Sequence, residues 1–206
     1  MNYLIGISGR KHHGKDSVAD GITSLATGYA LPAGISIERH AFAEELKETC
    51  KFLWKLTEEQ VNGDLKEVID PRYGITPREI MQRLGSFVRS IDPETWVRIV
   101  TRKIEAGRKW HDLMTGADSA IDHGPQPHHL DVITDCRHPN EAVAVRALGG
   151  VIWKVVRPEA SSNDLSAHES ETEIDRIEPD VLIRNDGSLD DLRHAVHGHL
   201  EALLAR

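Results

Sequence analysis

The chain has 206 residues, 39% of them hydrophobic, with a formal net charge of −8 and two cysteines. That length suffices for one medium α/β domain with its own core, and the acidic balance disfavours a nonspecific nucleic-acid or anionic-membrane surface. Cys50 and Cys136 lie far apart in no metal-type spacing, and no leader pattern or 18-residue apolar stretch occurs, so a soluble cytoplasmic protein without disulfides is expected.

In chain order, the apolar run at 3–8 reads as a strand. It runs into Gly9-Arg10-Lys11-His12-His13-Gly14-Lys15-Asp16, a G-x-x-x-x-G-K pattern with Asp where Ser or Thr usually stands. Helical spacing follows over 16–28, through Val18, Ile22 and Leu25. A second strand is expected at 36–42, then helices at 43–55, 77–90 and 94–106. Strands at 130–135 and 150–156 are short and β-branched, as buried parallel strands are, and flank a helix at 139–148 that stops at Gly149. A fifth strand at 180–184 precedes a helix starting at Ser188, with Asp191 completing a capping-box pair. Two polar stretches, 112–129 and 158–179, read as a surface loop and a mobile cover. The alternation predicts an α/β three-layer sandwich: a five-stranded parallel sheet with helices on both faces. There is no internal repeat and no interdomain linker, so 1–206 is read as a single domain.

A strand, a Gly-rich turn and a helix form the context in which this pattern binds nucleotide phosphates. The glycines let several N–H groups point at one anion, and the helix N-terminus adds partial positive charge. Lys15 is then expected at the β- and γ-phosphates.

Asp135 ends the third strand. In open parallel sheets ligands sit beyond the carboxyl ends of the strands, so Asp135 is a candidate for Mg²⁺ or substrate. Its other reading is the N-cap of the 139–148 helix. Arg78 and Gln82 are i and i+4 on one helix, and Arg89 extends the same face. A guanidinium fork suits a phosphate and an amide suits a base edge, whereas the plain reading is a solvated helix face. The 12 histidines include the pairs His12-His13 and His128-His129 and the group His194, His197 and His199. None has a zinc-type partner set in sequence, so surface roles are expected.

Together these segments resemble the phage-type deoxynucleoside monophosphate kinases, with the animal-type phosphomevalonate kinases as relatives. The likeness rests on Ser8-Gly9 to Gly14-Lys15-Asp16, Ala41-Phe42-Ala43 with Leu46-Lys47, Met81-Gln82 with Leu84-Gly85, and Trp96-Val97. It continues in Asp135 and Arg137 with Glu141, in Val155-Val156-Arg157-Pro158 with Ser162-Asn163-Asp164, and in Asn185-Asp186-Gly187-Ser188-Leu189. Asp16 is itself a feature of that group.

The resemblance implies a P-loop NTPase-type fold, ATP as donor and Mg²⁺ as cofactor. It implies catalytic roles for Lys15, Asp135 and Arg137. ATP would be held by Gly9, Lys11, His13, Gly14, Lys15, Asp16, Ser17, Arg157, Asn185, Asp186 and Gly187, the last three bordering adenine. Asp16, Ser17 and Asp135 would attend the metal. Lys47, Arg78, Gln82, Arg89, Trp96 and Glu141 would bind the acceptor, within a helical region at about 43–110. The 158–179 segment, with Arg157 and Arg176, would act as a lid. The partners are small-molecule nucleotides rather than nucleic acid or membrane, and a homodimer stays open. The rival readings are a kinase for another small phosphorylated metabolite and a non-enzymatic nucleotide switch. A polynucleotide-end kinase would need a basic channel, against which the acidic charge counts.

Overall fold

The computed structural model describes residues 2–27, 35–115, 128–158 and 173–205. Its elements are β1 (Asn2–Ser8), α1 (Lys15–Thr27), β2 (Ile35–His40), α2 (Glu44–Trp54), α3 (Glu58–Val61), α4 (Pro77–Ile91) and α5 (Thr95–Thr115), then β3 (His128–Cys136), α6 (Pro139–Ala147), β4 (Val151–Val156), β5 (Val181–Arg184) and α7 (Leu189–Leu204). They fall into two compact units, Phe42–Val100 and the remainder of the chain.

The larger unit holds the five expected strands in one parallel sheet, ordered β2-β3-β1-β4-β5. β1 is central and buried from Tyr3 to Ser8, which explains its unbroken apolar sequence. Its odd-numbered side chains Tyr3, Ile5 and Ile7 share a core with Val18 and Ile22 of α1 and Leu192, Val196 and Leu200 of α7. On the opposite face, Gly6 and Gly150 lie against Val145 of α6, where an added Cβ would come within 3.1 and 2.8 Å of its methyl groups. Helices therefore cover both faces, as expected.

The same second face carries a polar cluster at the β2–β3 edge. Asp131 is fully buried. Its Oδ1 accepts from His40 Nε2 at 2.9 Å and His129 Nε2 at 3.3 Å, and its Oδ2 accepts from Arg108 Nε at 2.8 Å. Burial alone would raise its pKa, but the hydrogen bonds from His129, His40 and Arg108 outweigh it and hold the carboxyl well below the usual range. His129 is thus interior, not the surface residue expected from sequence. So is His13, at 6% exposure.

The smaller unit packs α2 against α4 through Cys50, Ile80 and Met81, with Leu56 and Val61 beside them. α4 starts at Thr76, whose hydroxyl accepts from Glu79 N at 3.1 Å, with Pro77 pre-set for the first turn. Nearby, the buried Asp70 carboxylate takes two guanidinium donors of Arg72 and the amide of Gln60, which fastens the turn between α3 and α4. The Arg72 guanidinium holds Asp70 well below the usual carboxylate range. Burial pushes the Cys50 thiol up to about 11 and raises the Cys136 thiol well above its usual value, so both thiols are inert core groups.

Two segments differ from expectation. α5 continues to Thr115 and β3 begins at His128, so both ends of the expected 112–129 loop are regular structure, and 116–127 lies outside the described residues. No Gly or Pro interrupts Arg108–Thr115, so nothing stops the helix there. In the expected 158–179 cover, 159–172, including Ser162-Asn163-Asp164, lies outside the described residues. Ile174–Arg176 forms a 3₁₀ turn anchored by buried Ile174 and Ile177. Among the described residues no helix is long and apolar enough to cross a membrane.

Replacing Asp131 with Asn should destabilise the larger unit by about 3–5 kcal/mol at neutral pH, because Arg108 then keeps a largely buried charge without its counter-charge. A depressed folded-state pKa gives stability that is present above the unfolded carboxylate value and lost as pH falls below it. Wild-type stability should therefore decline below about pH 4, and Asp131→Asn should flatten that decline. Denaturant melts at pH 7 and across the acid range measure both effects.

Candidate active site

The loop after β1 is shaped by backbone constraint. Gly9 has φ +152°, and a Cβ there would stand 2.7 Å from the Val155 carbonyl oxygen of β4. Gly14 has φ +97°, and a Cβ would stand 2.5 Å from Asn185 Nδ2. His12 occupies the left-handed region at φ +65°. Two contacts brace the loop from behind. His13 Nδ1 donates to the Val155 carbonyl at 3.2 Å, and Asn185 Nδ2 donates to the His13 carbonyl at 3.0 Å. Within the loop, His13 N donates to Arg10 O, and Val18 N donates to Gly14 O where α1 begins. The Lys15 ammonium donates to the carbonyls of Gly9 and Arg10 at 2.7 and 2.8 Å, which keeps it inside the loop.

This refines two expected contacts. The His13 imidazole is buried against β4 and positions the loop. Asn185, expected beside adenine, is 7% exposed with its amide on the loop backbone. Lys11 and Asp16 are exposed, and Ser17 is half-buried. Asp186 and Gly187 are exposed, next to the expected Ser188–Asp191 capping box.

On the other side of β1, the β1–β3 register shifts between Gly6 and Ser8: Gly6 pairs with Ile133 and Ser8 with Cys136. Thr134 and Asp135 thus oppose the single residue Ile7. Such irregularities re-aim side chains beside functional sites. Asp135 is half-buried at this point, one strand from the start of the loop. It does not cap α6, whose N-cap is His138. Glu141 Oε2 accepts from Arg137 N at 2.7 Å and His138 N at 3.0 Å. At 1% exposure Glu141, expected at the acceptor, shapes the turn that carries Asp135 and Arg137.

The rim contains groups the sequence did not point to. Arg10 pairs with Asp175 at 2.5 Å, and His138 pairs with Glu173. Lys154 Nζ donates to the carbonyls of Ile174 and Ile177. The 173–177 turn is thereby tied to the loop, to the start of α6 and to β4. Arg157 and Arg176 are exposed.

The smaller unit presents the remaining candidates. At about 100° per residue, Arg78, Gln82 and Arg89 fall within about 40° of one another around α4. The apolar stripe of Ile80, Met81 and Leu84 points instead into the core with α2. All three polar residues are half-buried, and the Arg78 guanidinium is paired with Glu67. Lys47 of α2 is also half-buried. Trp96 is 6% exposed, and among the described residues its indole nitrogen has no hydrogen-bond partner.

Residues 64–196 match the family described as deoxynucleotide monophosphate kinase. The chain is 33% identical over 198 residues to a protein of Acanthamoeba polyphaga mimivirus provisionally named a deoxynucleotide monophosphate kinase, covering 91% of each chain. It is 28% identical over 166 residues to the deoxynucleotide monophosphate kinase of Enterobacteria phage T4, covering 79% of this chain and 58% of that one. Among solved structures, dephospho-CoA kinase from Campylobacter jejuni superposes with a TM-score of 0.49 at 10% identity, over 98% of this chain and 97% of that one. By the family match and the extent of the mimivirus alignment, the chain belongs to the deoxynucleotide monophosphate kinase family.

Proposed function

We propose that the chain transfers the γ-phosphoryl group of ATP to the 5′-phosphate of a deoxynucleoside monophosphate, giving ADP and the diphosphate. The observation that carries this reading is the braced Gly9–Gly14 loop opening α1 in a member of this family. A kinase for another phosphorylated metabolite is not favoured by that membership.

Lys15 is positioned to move from the loop carbonyls onto the β- and γ-phosphates, while loop N–H groups and the α1 N-terminus take the remaining charge. The residues fit a hard divalent cation: Ser17 offers a hydroxyl, and Asp16 and Asp135 offer carboxylates. Mg²⁺ bound there would neutralise charge that develops during transfer. Arg137, on the turn held by Glu141, supplies a further cation beside Asp135. Asp186, Gly187 and Arg157 are exposed groups suited to the outer parts of ATP.

For the acceptor, Arg78 and Arg89 would grip the 5′-phosphate and Gln82 would read a base edge, with Lys47 adding charge. The indole N–H of Trp96 is a buried donor suited to the same ligand. No covalent enzyme intermediate is required, because positioning and charge neutralisation suffice. ADP production from ATP against a panel of nucleoside and deoxynucleoside monophosphates tests the reading. Production that no monophosphate stimulates would defeat it.

Lys15→Ala should lower turnover by about 10²-fold or more with the fold retained, as read by steady-state rate and circular dichroism. Gly14→Ala should weaken ATP binding by at least about tenfold, because a strained φ and the Asn185 contact both oppose the side chain; calorimetric titration measures this.

Arg78→Ala and Arg89→Ala should each raise the KM for the monophosphate about tenfold and leave that for ATP nearly unchanged, in line with loss of a charge-assisted hydrogen bond. Gln82→Ala should instead change the ranking of bases. Asp135→Asn should lower kcat more than it weakens ATP binding. Since His138 caps α6, a loss of thermal stability without loss of turnover would remove Asp135 from the site.

A further inference from the structure

Outside the phosphate loop, one cluster of ligand-type side chains has no part in the proposed reaction. Ser36, Glu38 and His40 alternate along β2, and His129 and Asp131 alternate along β3. The register pairs Ser36 with His129 and Glu38 with Asp131. A parallel ladder with two-residue periodicity puts all five on one sheet face, beneath Arg108 and Gly107 of α5. We propose that Glu38, His40, His129 and Asp131 bind a transition-metal ion of the zinc class.

The geometry is close to a coordination sphere. One ligand atom from each of Glu38, His40 and Asp131 lies within 4.8 Å of the others. His40 Nε2 and His129 Nε2 both face Asp131 Oδ1, at 2.9 and 3.3 Å, and His129 Nε2 is 4.0 Å from Glu38 Oε2. Zinc bonds of about 2.0–2.2 Å to nitrogen and oxygen place tetrahedral ligands roughly 3.3–3.5 Å apart. An ion therefore enters with shifts of some tenths of an ångström between Asp131 and the histidines, and of up to about 1.4 Å by the half-exposed Glu38 carboxylate.

The outer partners are those that fix metal ligands. Ser36 Oγ sits 2.7 Å from His129 Nδ1 and sets which ring nitrogen faces the carboxylate. Arg108 holds Asp131 Oδ2 and leaves Oδ1 directed at the histidines. His40, His129 and Asp131 are buried, whereas the Glu38 side chain is 51% exposed and gives the ion a way in. Two imidazoles in the set favour zinc-class ions over Mg²⁺, which separates this site from the oxygen donors of the phosphate loop. The consequence is mechanical. β2 is an edge strand with β3 as its sheet neighbour, and the ion would staple it there.

The test uses the full chain, stripped with chelator and then saturated with Mg²⁺ and ATP. Titration with Co²⁺ should show one tight equivalent with the intense visible absorption of four-coordinate cobalt. Zn²⁺ should displace it and raise the Tm. His40→Ala and His129→Ala should abolish the absorption, and His194→Ala, on the exposed face of α7, should retain it. Glu38→Gln, at an exposed position that spares the fold, should weaken affinity roughly tenfold or more. Absence of a tight equivalent in the wild type would overturn the site, as would unchanged binding in Glu38→Gln or in folded His40→Ala. The cluster would then be a hydrogen-bonded edge clamp.

Discussion

The proposed chemistry depends on how the backbone between Gly9 and Gly14 is held. An anion-binding turn directs its N–H groups inward, so its carbonyls and side chains must be satisfied on the outer side. Here β4 and the segment after β5 do that work. Val155 receives His13, and Asn185 supports the His13 carbonyl. These contacts leave no room for a Cβ at Gly9 or Gly14. The loop is thus held because β1, from which it springs, is buried in a parallel sheet, with the ends of β4 and β5 on one side and β3 on the other.

The same layout explains where the charged groups stand. The irregular pairing at Thr134–Asp135 puts a carboxylate beside the loop without making it a helix cap, because His138 and Glu141 complete the first turn of α6. The Arg10–Asp175 and His138–Glu173 pairs then link the rim to the 173–177 turn. An exposed pair such as Arg10–Asp175 contributes little stability, about 0–1 kcal/mol. Both pairs hold the turn in place near the Gly9–Gly14 loop.

A second polar centre lies at the far strand of the sheet. Buried Asp131 gathers two histidines and one arginine, and their donors keep it ionised despite its burial. A fully satisfied network of this kind fixes the β2–β3 edge, and it also presents nitrogen and oxygen ligands at metal-like spacing. In the smaller unit, Asp70 and Arg72 play the simpler structural part, closing a turn between helices.

The sequence by itself determined the five strands, the Gly-rich turn between β1 and α1 and the helix periodicity, because each follows from local spacing. Apolar runs, two glycines at a fixed offset and an i, i+4 stripe are properties of neighbouring residues. It also carried the family resemblance, since the loop, Asp135 with Arg137, and Met81-Gln82 with Leu84-Gly85 are short motifs. Tertiary structure alone decided what depends on residues far apart in the chain. That Asn185 braces the loop requires β5 to end beside it. That Glu141 accepts from the Arg137 and His138 amides requires its burial under the β3–α6 turn. The pair His128-His129 lacked metal-type partners in sequence because those partners, Glu38 and His40, stand on the neighbouring strand, brought into register only by sheet pairing. The alternation Ser36-x-Glu38-x-His40 was visible, but strand register is set by the whole hydrophobic face and not by any segment of it.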